Sequence, residues 1–275
     1  MEKFNFKKSL GQNFLIDNNI KRKIVDSASI DSESLILEVG PGNGAITKLL
    51  VEKNVPVIAF EIDTRLKNEL DKINANNLTV IYQDFLSVNL NVVLKDYKYK
   101  KIHLIANLPY YITTPIINKV MNEISIYEMI IMVQKEVGDR FKAKPNSKDY
   151  NSLSVFLQYY FDIEKVTLVS RNSFMPKPNV DSIVVKFTRK KNLMYVNDIE
   201  GFFEFVRSCF KQKRKNLRNN LRNYDLEKVE KSLILIGKNL TYRAEQLSLE
   251  DFVNVYNNIW RNLIVIILIF DHIIL

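Results

Sequence analysis

The sequence is poor in residues that cross-link a chain or hold a metal. Its single cysteine, Cys209, excludes an internal disulfide framework and a cysteine-based metal site. Its two histidines, His103 and His272, lie in apolar stretches and read as structural, so no metal is expected. No apolar run approaches the ~20 residues of a membrane-spanning helix. The apolar tail from Leu263 to Phe270 is interrupted by Asp271 and His272. Of a strand, a buried plug or an extension without function, the last is the favoured reading for it. The N-terminus shows neither an apolar signal core nor an Arg/Ser-rich presequence, which fits a reducing cytoplasm. There is no internal repeat and no low-complexity tract.

What is present is the composition of a globular protein: 275 residues, 47% hydrophobic and 26% charged. That length suits one large domain, or a medium domain with a smaller appendage. Forty Lys and Arg against 31 Asp and Glu leave a net charge of +9. Such an excess points to a polyanionic partner only where the positive residues cluster.

Short apolar runs alternate with helical patterns along most of the chain. Leu35–Val39 is a strand pattern closed by Gly40-Pro41-Gly42-Asn43-Gly44, with a helix from Ala45 to about Lys53. Pro56–Glu61 reads as a second strand, after which Asp63 caps a helical stretch through Ile73. Leu78–Tyr82 and Lys101–Ala106 are the third and fourth strands, Thr114–Ile124 a helix and Tyr127–Val133 a fifth strand. Two more strands are expected near Val166 and over Ser182–Phe187. Strands apolar on both faces and alternating with helices imply a doubly wound α/β sheet, Rossmann-like, with ligands at the C-terminal strand ends. Beyond about Lys191 only helical periodicity continues. The expected division is a catalytic domain over 1–191, a small helical domain over 192–262 and the tail over 263–275.

Three of the seven glycines fall within residues 40–44, between a strand and a helix. Glycine there lets the backbone turn tightly and pass close to a ligand. Two acids support a ligand over an empty turn. Glu61 ends the second strand, where a carboxylate can bind both ribose hydroxyls. Asp84 follows the third strand, where it can accept from an adenine amino group. The pair describes a nucleoside pocket, of either a dinucleotide or S-adenosylmethionine. The even glycine spacing, with Ala45 in place of a later glycine, disfavours a pyrophosphate. Glu38 would repel a pyrophosphate but suits the ammonium of a methionine moiety.

Asn107-Leu108-Pro109-Tyr110 follows the fourth strand at the same edge. An exocyclic adenine amine is a poor nucleophile because its lone pair is delocalised into the ring. The Asn107 side-chain oxygen and the Leu108 carbonyl can accept its two protons and draw the nitrogen towards tetrahedral geometry. Pro109 fixes the local φ, and Tyr110 offers a ring for a base withdrawn from its stack. No strong general base is required.

On these motifs the chain resembles the ribosomal RNA adenine N6-dimethyltransferases, and among them the bacterial small-subunit enzymes. The resemblance runs from about Lys8 to Asn258. Lys8–Leu15 is similar to the family's N-terminal motif, which implies that Asn13 and Leu15 contact the cofactor. Glu38–Gly44 and Asn107–Tyr110 are similar to its cofactor and catalytic motifs, implying that Gly40, Glu61, Asp84 and Asn107 bind S-adenosylmethionine. Gln134–Val137 with Asp139-Arg140 matches a further segment. Phe174–Ser182 resembles the late motif, whose Phe174 would face the target base opposite Tyr110. Gly138 departs from the family, which often has Ala or a larger residue there, and the apolar tail has no counterpart. The resemblance implies methyl transfer to the N6 amines of two adjacent adenosines near the 3′ end of 16S rRNA, giving N6,N6-dimethyladenosine. It also implies a role in small-subunit biogenesis, with the small subunit or its precursor as partner. The expected enzyme is a cytoplasmic monomer that engages no membrane.

The helical part carries the clustered charge. Basic residues at 207, 211, 214, 218 and 222 fall on one helical arc, and Phe202, Phe205, Val206, Cys209, Phe210, Leu217 and Leu221 on another. Lys213 intrudes on the apolar arc, so two shorter helices with a break near Gln212 are expected. The density of Lys211, Lys213, Arg214, Lys215 and Arg218, with Arg222 beyond, points to RNA phosphates over a merely solvated face. Arg243–Phe252 resembles the closing motif of the small-subunit enzymes, which the large-subunit methyltransferases lack, and Ser248 there is a good helix cap. A large-subunit enzyme, an NAD-dependent dehydrogenase and a non-catalytic ribosome-assembly factor are the competing readings. The closing motif, the glycine spacing and the intact pocket argue against them in turn.

Overall fold

The computed structural model describes residues 12–108 and 112–271, with side chains to residue 260. Its strands are β1 (Phe14–Leu15), β2 (Ser34–Val39), β3 (Val57–Phe60), β4 (Leu78–Ile81), β5 (Lys101–Asn107), β6 (Glu128–Gln134), β7 (Phe161–Val169), β8 (Phe174–Met175) and β9 (Ser182–Arg189). The helices are α1 (Asn18–Ser27), α2 (Thr47–Val51), α3 (Lys67–Leu70), α4 (Leu90–Leu94), α5 (Thr113–Glu123), α6 (Lys135–Phe141), α7 (Ser152–Tyr160), α8 (Ile199–Cys209), α9 (Leu217–Asn220), α10 (Leu226–Ile234) and α11 (Leu249–Asp271). No helix among the described residues is long and apolar enough to cross a membrane.

The chain divides into two units, one within residues 1–138 and 162–189, the other within 139–161 and 190–275. The first holds a seven-stranded sheet in the order β4-β3-β2-β5-β6-β9-β7. Every residue of β2 and β3 is buried, as expected of central parallel strands covered on both faces. The chain starts in the middle at β2, moves outward to β4 and then crosses back to β5, so the switch point lies between β2 and β5. The register aligns the strand ends. Val39 pairs with Phe60 and with Ala106, Phe60 with Ile81, and Asn107 with Met132. β9 runs antiparallel to β6, which closes the alternation of strand and helix on that side.

At the opposite end of these strands a polar cluster is sealed in. His103 and Glu128 are fully buried. The His103 ring lies 3.0 Å from Ser34 Oγ and 3.2 Å from Glu128 Oε2. Lys186 Nζ stands 2.9 Å from the other Glu128 oxygen, and Ser29 donates its amide to the same carboxylate at 2.8 Å. Burial works against ionising Glu128, but hydrogen bonds from His103 and Lys186 hold its carboxyl down to about 2. His103 therefore packs away from the ligand edge, and His272 lies outside the described residues.

A second, two-stranded sheet pairs β1 with β8, setting Leu15 opposite Phe174 and Phe14 opposite Met175. Neither strand has a sequence signal, because two residues carry no period. Their pairing brings the N-terminal segment and the late segment together.

The second unit is helical, and here the expected boundary needs correction. Residues 139–161 belong to it and not to the sheet-bearing unit, and the first unit ends at Arg189, short of Lys191. The cause is packing. Tyr150, Val155 and Tyr159 share one buried cluster with Phe202, Phe205, Leu233 and Phe252, and the Phe156 and Phe203 rings meet at 4.8 Å. Periodicity marks neither allegiance nor the detour that the chain makes to supply α7. Ser248 caps α11, accepting from Asp251 N at 3.0 Å while its own amide donates to the Asp251 carboxylate. The backbone of α11 continues to Asp271, so the apolar tail begins as helix and not as a strand.

Gly138 also finds its reason. A Cβ there would lie 2.2 Å from Ile183 Cγ2 and 3.2 Å from Val185 Cγ2, so the β9 side chains occupy the space an alanine would need. Gly138→Ala should lower stability by about 1–3 kcal/mol through overpacking. Urea denaturation should show the loss, and pairing the change with Ile183→Ala should recover part of it.

Candidate active site

The aligned strand ends converge on one cleft, lined by Asn13, Leu15, Glu38, Gly40, Glu61, Asp84, Asn107, Leu108 and Phe174 among others. Every cofactor residue expected from the sequence borders it. The glycine loop is held from both sides. Gly40 donates its amide to Phe60 O at 3.0 Å, and Gly42 donates to Glu61 Oε2 at 3.0 Å. Gly40, Gly42 and Gly44 all have φ between +59° and +74°, a region where a Cβ is strained. At Gly44 a Cβ would also strike Ile73 at 2.5 Å.

Charge is distributed unequally across the cleft. Glu38 is buried, and its Oε2 has no hydrogen-bond partner. Burial, reinforced by the neighbouring Glu61 charge, pushes the Glu38 carboxyl up to about 8. Burial also raises Glu61, although the Asp63 and Gly42 amides oppose it. Asp84 is exposed, and its Oδ1 accepts from Leu86 N at 2.9 Å, which orients the carboxylate at the rim. Asp63 has no such freedom. Arg65 and Gln12 hold its carboxyl down to about 2, with Gln12 Nε2 at 2.7 Å from Oδ2. It caps only a short 3-10 turn over Thr64–Leu66 before α3, a briefer helical stretch than expected.

At the same edge of the sheet, Asn107 is the last residue of β5. Its Nδ2 donates to the Asn13 carbonyl at 3.3 Å. That bond commits an amide N–H to the protein and leaves Oδ1 as the acceptor of the side chain. Leu108 is buried and donates its amide to Met132 O at 3.1 Å, which fixes the peptide that follows the strand. Pro109 and Tyr110 lie outside the described residues, as do Lys8 to Gly11. Phe174 is buried at the cleft in a cluster with Leu15, Ile105 and Met132. The sequence reading missed Asp181, whose Oδ1 accepts from Arg171 N at 2.9 Å and ties down the loop that carries Phe174. Asp181 stands inside a legible motif, but its partner does not, so only the folded chain reveals the role.

Comparison with known proteins bears on this geometry. The model of the family described as ribosomal RNA adenine dimethylase matches residues 3–260. The chain belongs to that family. Its activity class is therefore rRNA adenine methylation. The ribosomal RNA small subunit methyltransferases A of Bacillus mycoides and Bacillus cereus are each 45% identical over 266 residues, covering 92% of this chain and 91% of the relative. Among solved structures, a dimethyladenosine transferase from Plasmodium falciparum superposes with a TM-score of 0.71 at 26% identity, covering 88% of this chain and 95% of that one. The 23S rRNA methyltransferase ErmE gives 0.71 at 25% identity over 90% and 99%.

In this adenine dimethylase the expected basic stretch is a loop and not a helical face. α8 ends at Cys209, residues 211–215 form turns, and α9 is a single turn. The break near Gln212 is present, but the common arc of residues 207–222 is not. Asn220 organises the loop. Its Nδ2 donates to Cys209 O at 2.7 Å and to Gln212 O at 3.2 Å, and its Oδ1 accepts from Gln212 N at 3.1 Å. Lys211, Lys213, Arg214, Lys215, Arg218 and Arg222 are all exposed. Phe202, Phe205, Val206, Cys209, Leu217 and Leu221 are buried beneath them, and Phe210 is partly buried against the same cluster.

The raised value of Glu38 has a measurable consequence. Between its ordinary 4.5 and about 8, the folded chain keeps a proton that the unfolded chain has released. Stability should therefore fall as pH rises through that window, by up to about 1.4 kcal/mol per pH unit. Glu38→Gln should flatten the slope without abolishing it, since Glu61 is shifted the same way. Urea denaturation of both proteins at pH 5, 6.5 and 8 checks this; an unchanged slope would place the titration elsewhere.

Proposed function

We propose that the chain transfers methyl groups from S-adenosylmethionine to the N6 amines of two adjacent adenosines near the 3′ end of 16S rRNA. The observation that carries the reading is the Asn107 carboxamide, tethered through nitrogen to the Asn13 carbonyl with its oxygen left as an acceptor, in the cleft that Glu38, Glu61 and Asp84 also line. The residues fit the cofactor. The unpartnered, buried Glu38 oxygen suits a cationic ligand, Glu61 suits ribose hydroxyls and Asp84 an adenine amine. When bound, S-adenosylmethionine supplies an electrophilic methyl together with its own leaving group. Asn107 Oδ1 and the Leu108 carbonyl accept the two amine protons and localise the nitrogen lone pair. Tyr110 and Phe174 hold the base between them. The amine proton becomes acidic as the methyl attaches, so no dedicated base is needed.

The equal likeness to a dimethyladenosine transferase and a 23S rRNA methyltransferase leaves the choice of subunit to sequence. The highly identical relatives carry a small-subunit name, and the Arg243–Phe252 segment resembles the closing motif of small-subunit enzymes. The exposed Lys211–Lys215 loop with Arg218 and Arg222 supports phosphate contact. A place in small-subunit maturation follows from such a substrate.

Asn107→Ala should lower single-turnover methyl transfer to undermethylated 30S particles by about 100-fold or more, as expected when a group that stabilises developing charge is removed. Tyr110→Ala should cost about 1–3 kcal/mol of stacking and Tyr110→Phe less. If Tyr110→Ala is harmless while Tyr110→Phe is not, the hydroxyl and not the ring is the working group.

Replacing Lys213, Arg214 and Lys215 together should weaken particle binding and reduce its salt dependence by roughly 0.7–0.9 log units for each phosphate no longer neutralised. Calorimetric affinity for S-adenosylmethionine should not change. Normal methylation by the triple variant at physiological salt would leave the loop as a solvated surface.

A further inference from the structure

Outside the cleft, the first unit carries a second concavity, lined by Asn18, Lys21, Arg22, Asn43, Lys48 and Leu49 together with Ala45. Three cations from α1 and α2 meet there. Lys21 and Lys48 are close enough that Lys48, added to partial burial, pulls the Lys21 ammonium below its usual range. Among the described residues no carboxylate lies within ion-pair distance of the three; Lys21 Nζ donates to Asn18 Oδ1 at 3.0 Å and feels the Asp17 charge only at longer range. Asp17 is committed elsewhere: it caps α1 through the amides of Asn19 and Ile20 at 2.9 and 3.2 Å, and accepts from Ser173 Oγ at 3.2 Å. Asp26, one turn beyond Arg22, is paired with Lys53 at 3.2 Å. Gathering three like charges with only the distant, already engaged Asp17 to offset them is unfavourable in the free protein, and an anion in the concavity would relieve it.

Position and chemistry identify the anion. Asn43 and Ala45 border both this concavity and the cleft, so the two adjoin across the glycine loop. S-adenosylmethionine, carrying sulfonium and ammonium charges, is not attracted by three cations. A nucleotide whose base enters the cleft brings its flanking phosphates to the rim. The Arg22 fork and the Lys21 and Lys48 ammonium groups match phosphate oxygens, with the Asn18 and Asn43 side chains as further hydrogen-bonding groups. We propose that Lys21, Arg22 and Lys48 form a phosphodiester subsite on the catalytic unit, holding the RNA backbone beside the base being methylated. This rests on the RNA-substrate reading above and adds a contact outside the Lys211–Arg222 region.

The test is Lys21→Glu with Lys48→Glu in the full chain, two partly or fully exposed positions whose change leaves the core intact. Binding to undermethylated 30S particles and to a short unstructured RNA is measured from 50 to 300 mM salt, and S-adenosylmethionine affinity by calorimetry. The expected result is about tenfold weaker binding of both RNAs and a salt slope lower by roughly 0.7–0.9 for each phosphate that goes unpaired, with cofactor affinity unchanged. Unchanged RNA affinity and slope overturn the subsite. So does a concavity that binds inorganic phosphate in the wild type, loses it in the variant and leaves RNA binding unaltered. If the wild type fails to methylate the particle but the variant still loses affinity for the unstructured RNA, the substrate reading falls and the phosphate site stands.

Discussion

The parallel register of β2, β3, β4 and β5 is the constraint on which the site depends. Because Val39, Phe60, Ile81 and Ala106 lie in one row, the residues at and shortly beyond each strand's end are delivered to the same edge. Gly40, Glu61, Asp84 and Asn107 come from four separate segments and need no further device to meet. A slip of one residue in any pairing would turn a whole strand over, burying an acid in the core or withdrawing Asn107 from the cleft. The buried apolar strands and the sealed His103–Glu128–Lys186 cluster at the far end oppose such a slip, since that cluster must satisfy all its polar atoms at once.

The cleft concentrates carboxyl groups that burial disfavours. Glu38 and Glu61 are both pushed upward, whereas Asp63, two residues beyond Glu61, is held low by Arg65 and Gln12. The acid held by Arg65 and Gln12 serves the loop's architecture, whereas Glu38 and Glu61, which border the cleft, have no cationic partner within ion-pair distance among the described residues. Carboxyl groups shifted in this way are commonest at functional sites.

In the helical unit, the aromatic core and the basic residues are separated along the chain. Aromatic packing between α7 and α8 fills the interior, while the basic residues sit on a loop whose shape is set by one asparagine, Asn220. The charges can then vary in number or position without touching the core.

The glycine loop, the strand-end acids, the Asn-Leu-Pro-Tyr run and the central strands were legible because each is a local pattern: adjacent residues of a type, or a period of two or 3.6. By itself the sequence thus determined the α/β class and which residues border the cleft. Tertiary structure decided what depends on distant partners. The Asn107 amide takes its orientation from Asn13, 94 residues away. Residues 139–161 join the helical unit because their rings find Phe202 and Phe203. The basic stretch became a loop because Asn220 accepts and donates across it. Helical periodicity records which residues share a face if a helix forms; whether it forms is settled by competing hydrogen bonds and packing that no single segment contains.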